Sequence, residues 1–239
     1  MRIEVWSDIV CPWCYIGKRR LEAALARFEH RRHVEVVWRS FELDPTAPAV
    51  HTGPYVGRLA RKYGLPVPEA QALVDGMTRT AAGEGLAFRF DRARPGNTFD
   101  AHRLLHLAAE RGVQDAAKER LLAATFTEGE PIGDPDTLVR LAAVAGLQAV
   151  EARQVLAGDA YAADVRADEQ RAARLGITGV PFFVVDERYG VSGAQPADVL
   201  LEVLDRAWSE ADRADLVPVP VPGSGAGPAG ACEGDTCAV

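Results

Sequence analysis

Several function classes are excluded by what the sequence lacks. Its longest apolar runs, such as Gly179 to Val185, fall far short of the roughly 20 residues a membrane span requires. Positive charge is not in excess: 27 Lys and Arg stand against 34 Asp and Glu, a formal net charge of −7. Neither nucleic acid nor an anionic membrane surface is therefore an expected partner. The opening Met1-Arg2-Ile3-Glu4-Val5-Trp6-Ser7-Asp8 has no apolar h-region and no small-residue cleavage site. A cleaved secretion signal is not expected, and the cytoplasm is the default location. No phosphate-binding P-loop, no Gly-x-Ser-x-Gly and no internal repeat occur. Gly225, Gly227 and Gly230 fit a G-x-G-x-x-G spacing, but no strand precedes them and no helix follows, so the match is set aside.

Cysteine is scarce as well, at four in 239 residues. In a reducing compartment structural disulfides are rare, and paired cysteines are catalytic, sensing or metal-binding. All four fall in two close pairs, Cys11/Cys14 and Cys232/Cys237.

Around the first pair the pattern is strand–helix–strand. Residues 2–7 carry β-formers at alternating positions. From Pro12 to Arg32, Ile16, Leu21, Ala24, Leu25 and Phe28 recur at helical spacing, and Pro12 suits a first helical turn. Val34 to Phe41 is β-rich again, and a crossover of this length predicts two parallel strands. From about Pro54 to Leu175 the chain is rich in Ala, Leu and Arg with helical periodicity, broken only by a short Leu86–Phe90 stretch of uncertain type. Asp134-Pro135 predicts an N-cap and a first-turn proline. Strand signals return at 180–185 and 189–193, and a last helix is expected from Pro196 to about Asp212. The fold class is α/β: a small mixed sheet flanked by helices, with a large all-α insertion. The expected division is residues 1–50 and 161–213 for the sheet domain, 51–160 for the helical insertion, and 214–239 for a Pro/Gly-rich tail carrying the second cysteine pair.

A Cys-x-x-Cys at a helix start has a direct chemical meaning. The first sulfur sits by unpaired N–H groups and the positive end of the helix dipole, which favour thiolate over thiol. The second, about one turn on, can resolve a mixed disulfide formed on the first. Cys11 is thus the expected nucleophile and Cys14 the resolving thiol. A zinc site would need a second ligand pair, for which the sequence offers mainly Cys232/Cys237, and no metal is expected. Pro181, between a helix and a buried strand, is the expected place for a cis peptide that brings Val180 backbone groups beside the sulfur.

Strand–Cys11-Pro12-Trp13-Cys14–helix, a helical insertion, Gly179-Val180-Pro181-Phe182-Phe183 and Ser192-Gly193-Ala194-Gln195-Pro196 together resemble the DsbA-like thioredoxin superfamily, and within it the FrnE branch of thiol oxidoreductases. The resemblance spans about residues 2–212. It implies a thioredoxin-like fold, dithiol–disulfide exchange at Cys11/Cys14 opposite a cis Pro181, and protein substrates bearing thiols or disulfides. It implies no tightly bound cofactor, with glutathione as an available reductant or cosubstrate. Two relatives on the same fold, the glutathione-dependent 2-hydroxychromene-2-carboxylate isomerases and the kappa-class glutathione transferases, resemble the opening but have serine where Cys11 stands and lack a second cysteine. They define one rival reading; a non-enzymatic redox-sensing module defines another.

The remaining candidates are weaker. Pro12, Trp13 and Val180 are expected to touch substrate, and Asn97 to face the cleft or cap a helix with Thr98. Tyr15, like Trp13, either lines a groove or packs. Asp8, three residues before Cys11, either moves protons or serves as a cap or a solvated charge. His102 and His106 share a helix face at i,i+4, but Arg103 stands where a zinc-protease motif has Glu. Cys232 and Cys237 follow a 17-residue linker (215 to 231), whose coil dimension of about 21–25 Å lets it reach a site on the same domain. FrnE-type proteins with such a tail imply a second redox pair that exchanges with Cys11/Cys14. Glu233 and Asp235 beside it oppose thiolate formation.

Overall fold

The computed structural model describes residues 1–214; Cys232, Cys237 and the tail lie outside the described residues. The chain opens with strand β1 (Arg2–Ser7), helix α1 (Pro12–Arg27), a single 3-10 turn (Arg31–His33) and strand β2 (Glu35–Ser40). Strand β3 (Phe182–Val185) and strand β4 (Tyr189–Ser192) come much later, followed by the last helix of the sheet domain. The four strands run in the order β2-β1-β3-β4. β1 pairs parallel with β2, Ile3 opposite Val36, and antiparallel with β3, Val5 opposite Phe183. β3 and β4 form an antiparallel hairpin. The α/β fold with a helical insertion is thus the one the sequence predicts.

Alternation along β1 divides its side chains between two cores. Ile3 and Val5 face one side with Leu21, Phe28, Phe183, Leu200 and Leu204. There α1 packs against the C-terminal helix Ala197–Ala214. Fully burying a side chain such as Phe183 contributes about 1.5–3 kcal/mol. Trp6 faces the other side with Ala172, Ile177 and Val184. Glu4, also on that side, is 3 % exposed and paired with Arg39 and Arg171, which satisfies a carboxylate too costly to bury alone.

The insertion supplies α2 (Tyr55–Tyr63), α3 (Val67–Gly83), α4 (Phe99–Glu110), α5 (Gln114–Ala123), α6 (Pro135–Val144) and α7 (Ala149–Ala157), after which α8 (Ala162–Arg174) returns to the sheet, its Ala172 packing with Trp6. α5 runs into a π-helical turn, Ala124–Glu128. Asp134 caps α6 as the sequence predicts, its carboxylate accepting from Thr137 N at 2.8 Å. Leu86–Phe90 is not a strand. Leu86, Phe88 and Phe90 are buried at alternating positions while Ala87 and Arg89 are exposed, so the period-two pattern is real. The extended segment joins no ladder; its three side chains pack with Tyr15, Tyr55 and Phe126. Helix α1 ends at Arg27 rather than Arg32, the backbone turning extended at Phe28.

Candidate active site

β1 delivers the chain into a tight turn, and Cys11 becomes the N-cap of α1 with Pro12 in the first turn. The two cysteines are free thiols. Cys11 lines a cleft of about 1320 Å³ together with Pro12, Trp13 and Val180, and Cys14 does not. Trp13 is 42 % exposed, whereas Tyr15 is buried and donates to Glu119 Oε1 at 2.6 Å. The two aromatic neighbours therefore divide, one to the cleft and one to the packing.

Opposite α1, the Val180–Pro181 peptide is cis. The Cys11 Sγ lies 3.5 Å from the Val180 carbonyl oxygen. Gly17, one turn beyond Cys14, permits this approach: a Cβ there would lie 2.9 Å from Pro181 Cγ and 3.3 Å from Phe183 Cζ.

Beneath the sulfurs lies a buried polar layer. Asp8 is wholly buried, and its carboxylate accepts from Ile9 N at 2.7 Å and Leu43 N at 2.8 Å. His102 Nε2 stands 3.3 Å from the same carboxylate. Lys118 Nζ, also wholly buried, donates to the Ser7 carbonyl at 3.1 Å and lies 5.6 Å from the Trp38 ring centroid. Burial pushes the Lys118 ammonium down to about 8, against the pull of Cys14, Asp8 and Cys11. Burial also pushes the His102 imidazole down, outweighing its bond to Asp8. Asp8 is held below its ordinary range: burial would raise it, but His102, Leu43 N and Lys118 together outweigh that.

These surroundings correct the expected electrostatics of the pair. The Cys11 thiol is pushed up, first by its hydrogen bond with Cys14 and then by burial. Cys14 is pushed down, because the bond from Cys11 and the charge of Lys118 outweigh burial. Within the pair, ionisation is thus favoured at the inner sulfur over the outer one. Cys11 is still the sulfur that a molecule in the cleft meets.

Other expectations change too. Asp8 is neither a solvated charge nor the cap of α1, whose N-cap has no side-chain hydrogen bond. Asn97 bonds its amide to the backbone on either side of it, donating to Pro45 O at 3.1 Å and accepting from Phe99 N at 3.0 Å. Its neighbours Gly96 and Thr98 line the cleft, and Asn97 does not. Thr98 is the N-cap of α4 without a side-chain bond. His102 and His106 separate: His102 meets Asp8, and His106 Nε2 stands 3.1 Å from Ser40 Oγ. Among the described residues no group of His, Cys, Asp and Glu is arranged to hold a metal ion.

Sequence reasoning missed Lys118. Its signal was a cation one and three residues from Ala117 and Leu121 on the buried stripe of α5, a position where lysine is almost never buried without a partner.

Residues 2–205 match the family model described as DSBA-like thioredoxin domain. The chain is 50 % identical to a probable DsbA oxidoreductase from Streptomyces coelicolor, covering 98 % of this chain and 100 % of that one with a TM-score of 0.84. It is 30 % identical over 202 residues to the uncharacterized protein YwbO of Bacillus subtilis, covering 83 % of this chain and 93 % of the relative. A cytosolic disulfide reductase DsbM from Pseudomonas aeruginosa, in a structure with glutathione, shares the fold at 21 % identity and a TM-score of 0.61, covering 86 % of this chain and 100 % of that one. The chain belongs to the DsbA-like thioredoxin-domain family of thiol–disulfide oxidoreductases.

Proposed function

We propose that this protein is a dithiol–disulfide oxidoreductase that works through Cys11 and Cys14, opposite Pro181, on protein thiols or disulfides. The observation that carries the reading is the asymmetry of the pair: Cys11 lines the cleft, while Cys14 lies inside against Lys118. In the reducing direction the Cys11 proton moves along the hydrogen bond to Cys14, and the Cys11 thiolate attacks one sulfur of the substrate disulfide. The first substrate sulfur leaves and takes a proton. Cys14, returned to thiolate beside Lys118, then attacks Cys11, closes the Cys11–Cys14 disulfide and releases the second thiol. Two electrons pass to the substrate; the oxidising direction is the reverse.

Pro12, Trp13 and Val180 form the wall beside the attacking sulfur in this reading. Asn97 acts behind that wall, fixing the loop at Pro45 to the start of α4. Glutathione is the proposed reductant, supported by fold likeness to a reductase whose structure holds it. The same likeness, to a protein named cytosolic, supports the cytoplasm as the compartment; among the described residues no helix is long and apolar enough to cross a membrane. The Cys232/Cys237 pair is proposed to exchange electrons with Cys11/Cys14, supported by the linker's reach and the likeness of the tail to FrnE-type proteins.

A glutathione redox titration with thiol trapping and mass mapping of each cysteine tests the whole reading. The expected result is that Cys11 and Cys14 oxidise together as a two-electron couple, with the midpoint giving the net direction. Co-titration of Cys232 and Cys237 supports the exchange. If Cys11 instead stays a free thiol or only collects glutathione, a glutathione-dependent transferase or isomerase replaces this reading.

A further inference from the structure

Helix α2 brings three cations to the cleft. The chain is net negative, and many of its arginines are tied to carboxylates, among them Arg39 to Glu4, Arg19 to Glu119, Arg171 to Glu187 and Arg103 to Asp100. On α2, Arg58, Arg61 and Lys62 all line the cleft that holds Cys11. Among the described residues none of the three has a carboxylate within ion-pair distance. Arg58 is the one set into the wall. It is half-buried, its guanidinium lies 5.3 Å from the Tyr55 ring centroid, and burial pushes it down, helped by Arg61 and opposed by the Tyr55 phenol. Tyr55 is itself buried and lines the same cleft as Cys11.

The two carboxylates on the cleft wall, Asp8 and Asp44, are committed elsewhere. Asp8 accepts from two backbone N–H groups. Asp44 Oδ1 accepts from Thr46 N at 3.1 Å and Thr46 Oγ1 at 2.8 Å. A desolvated guanidinium without an anion is costly, and its natural complement is a carboxylate brought by a ligand. Three like charges along one wall of the cleft, Arg61 and Lys62 exposed and Arg58 half-buried, also raise the local concentration of anions.

Resting on the exchange chemistry above, we propose that the preferred substrates of Cys11 carry a carboxylate beside the reacting cysteine, and that Arg58 is the specificity residue that binds it. The substrate class is an acidic cysteine segment, Glu or Asp flanking the sulfur. Docked on Arg58, such a segment places its disulfide at Cys11, and the exchange proceeds as written above with no further reactant.

The test uses the full-length reduced protein and two symmetric peptide disulfides that differ only in Glu against Gln next to the cysteine. Single-turnover capture on Cys11 is followed by acid quench and mass. The Glu peptide is expected to react about tenfold faster, as a partly desolvated charge pair implies. That ratio should shrink as salt rises from about 0.05 to 0.5 M. In Arg58→Met the ratio should approach one, and in Arg58→Lys a preference should remain. A ratio near one in the unaltered protein, or an unchanged ratio in Arg58→Met, overturns the proposal. Should Arg58→Met not fold, the salt dependence and Arg58→Lys still decide. Capture of both peptides at equal rates leaves thiol exchange standing and removes this inference alone; capture of neither on Cys11 removes both.

Discussion

The two sides of the cleft are built on different plans. The sheet side comes from contiguous sequence: β1, Cys11-Pro12-Trp13-Cys14 and α1 follow one another without a break. The helical side is assembled from scattered positions: Tyr55 and Arg58 on α2 line the cleft, and His102 on α4 and Lys118 on α5 lie buried behind it. Sulfur chemistry needs two thiols one turn apart, which a four-residue motif on a helix start supplies. Setting the charge of those thiols needs groups approaching from below, which no local motif supplies. The first side fixes what reaction is available, and the second fixes at what pH it runs.

The sharpest break of this contrast is Cys11→Ser. It should reduce exchange turnover to background while leaving the fold and the ion pairs of the insertion in place; retained turnover in a disulfide-reduction assay would refute the assignment of the attacking sulfur. Gly17→Ala comes next. The added methyl meets the Pro181 ring at 2.9 Å, and overpacking of this kind costs about 1–3 kcal/mol. A lowered urea midpoint is expected together with slower exchange, since α1 and Pro181 must separate. Unchanged stability would mean that the two surfaces part without cost.

Lys118→Met tests the other side. Without the ammonium, Cys14 is harder to ionise, so exchange at neutral pH should fall by about tenfold, one pKa unit. Because Lys118 itself loses its proton at about 8, its help is greatest below that pH and fades above it. Wild type and variant should therefore differ most at neutral pH and converge on the alkaline side. Rate profiles that stay parallel from pH 6 to 10, on the order of four decades in proton activity, would assign Lys118 a packing role instead.

The same division explains what the sequence disclosed. The parallel β1/β2 pair, the cysteine helix and the late hairpin follow from short-range periodicity and spacing, and the structure has all three. Leu86–Phe90 shows the limit of such patterns: alternation reports which side chains are buried, not whether a neighbouring strand exists to pair with. The Cys11 electrostatics show a second limit. The helix terminus is visible in sequence, but the competing bond to Cys14 and the charge of Lys118 are not. Asn97 carries two readings, a cleft residue by resemblance and a helix cap; its side chain accepts from Phe99 N at the start of α4, and its bond to Pro45 O is one no local pattern foretells.

The central position of β1 also has a consequence for biosynthesis. Ile3 lies between Val36 on one neighbour and Val185 on the other, so the sheet cannot close until nearly all of the described chain has been made. At roughly 5–20 residues per second the ribosome takes about 7–30 s to travel from Val36 to Val185. The seven intervening helices rely largely on contacts among themselves and can consolidate first, as low contact order favours. For most of that interval Cys11 and Cys14 lack Pro181 and the completed sheet. The nascent thiols meet the cell's oxidants and reductants before the site that governs them exists.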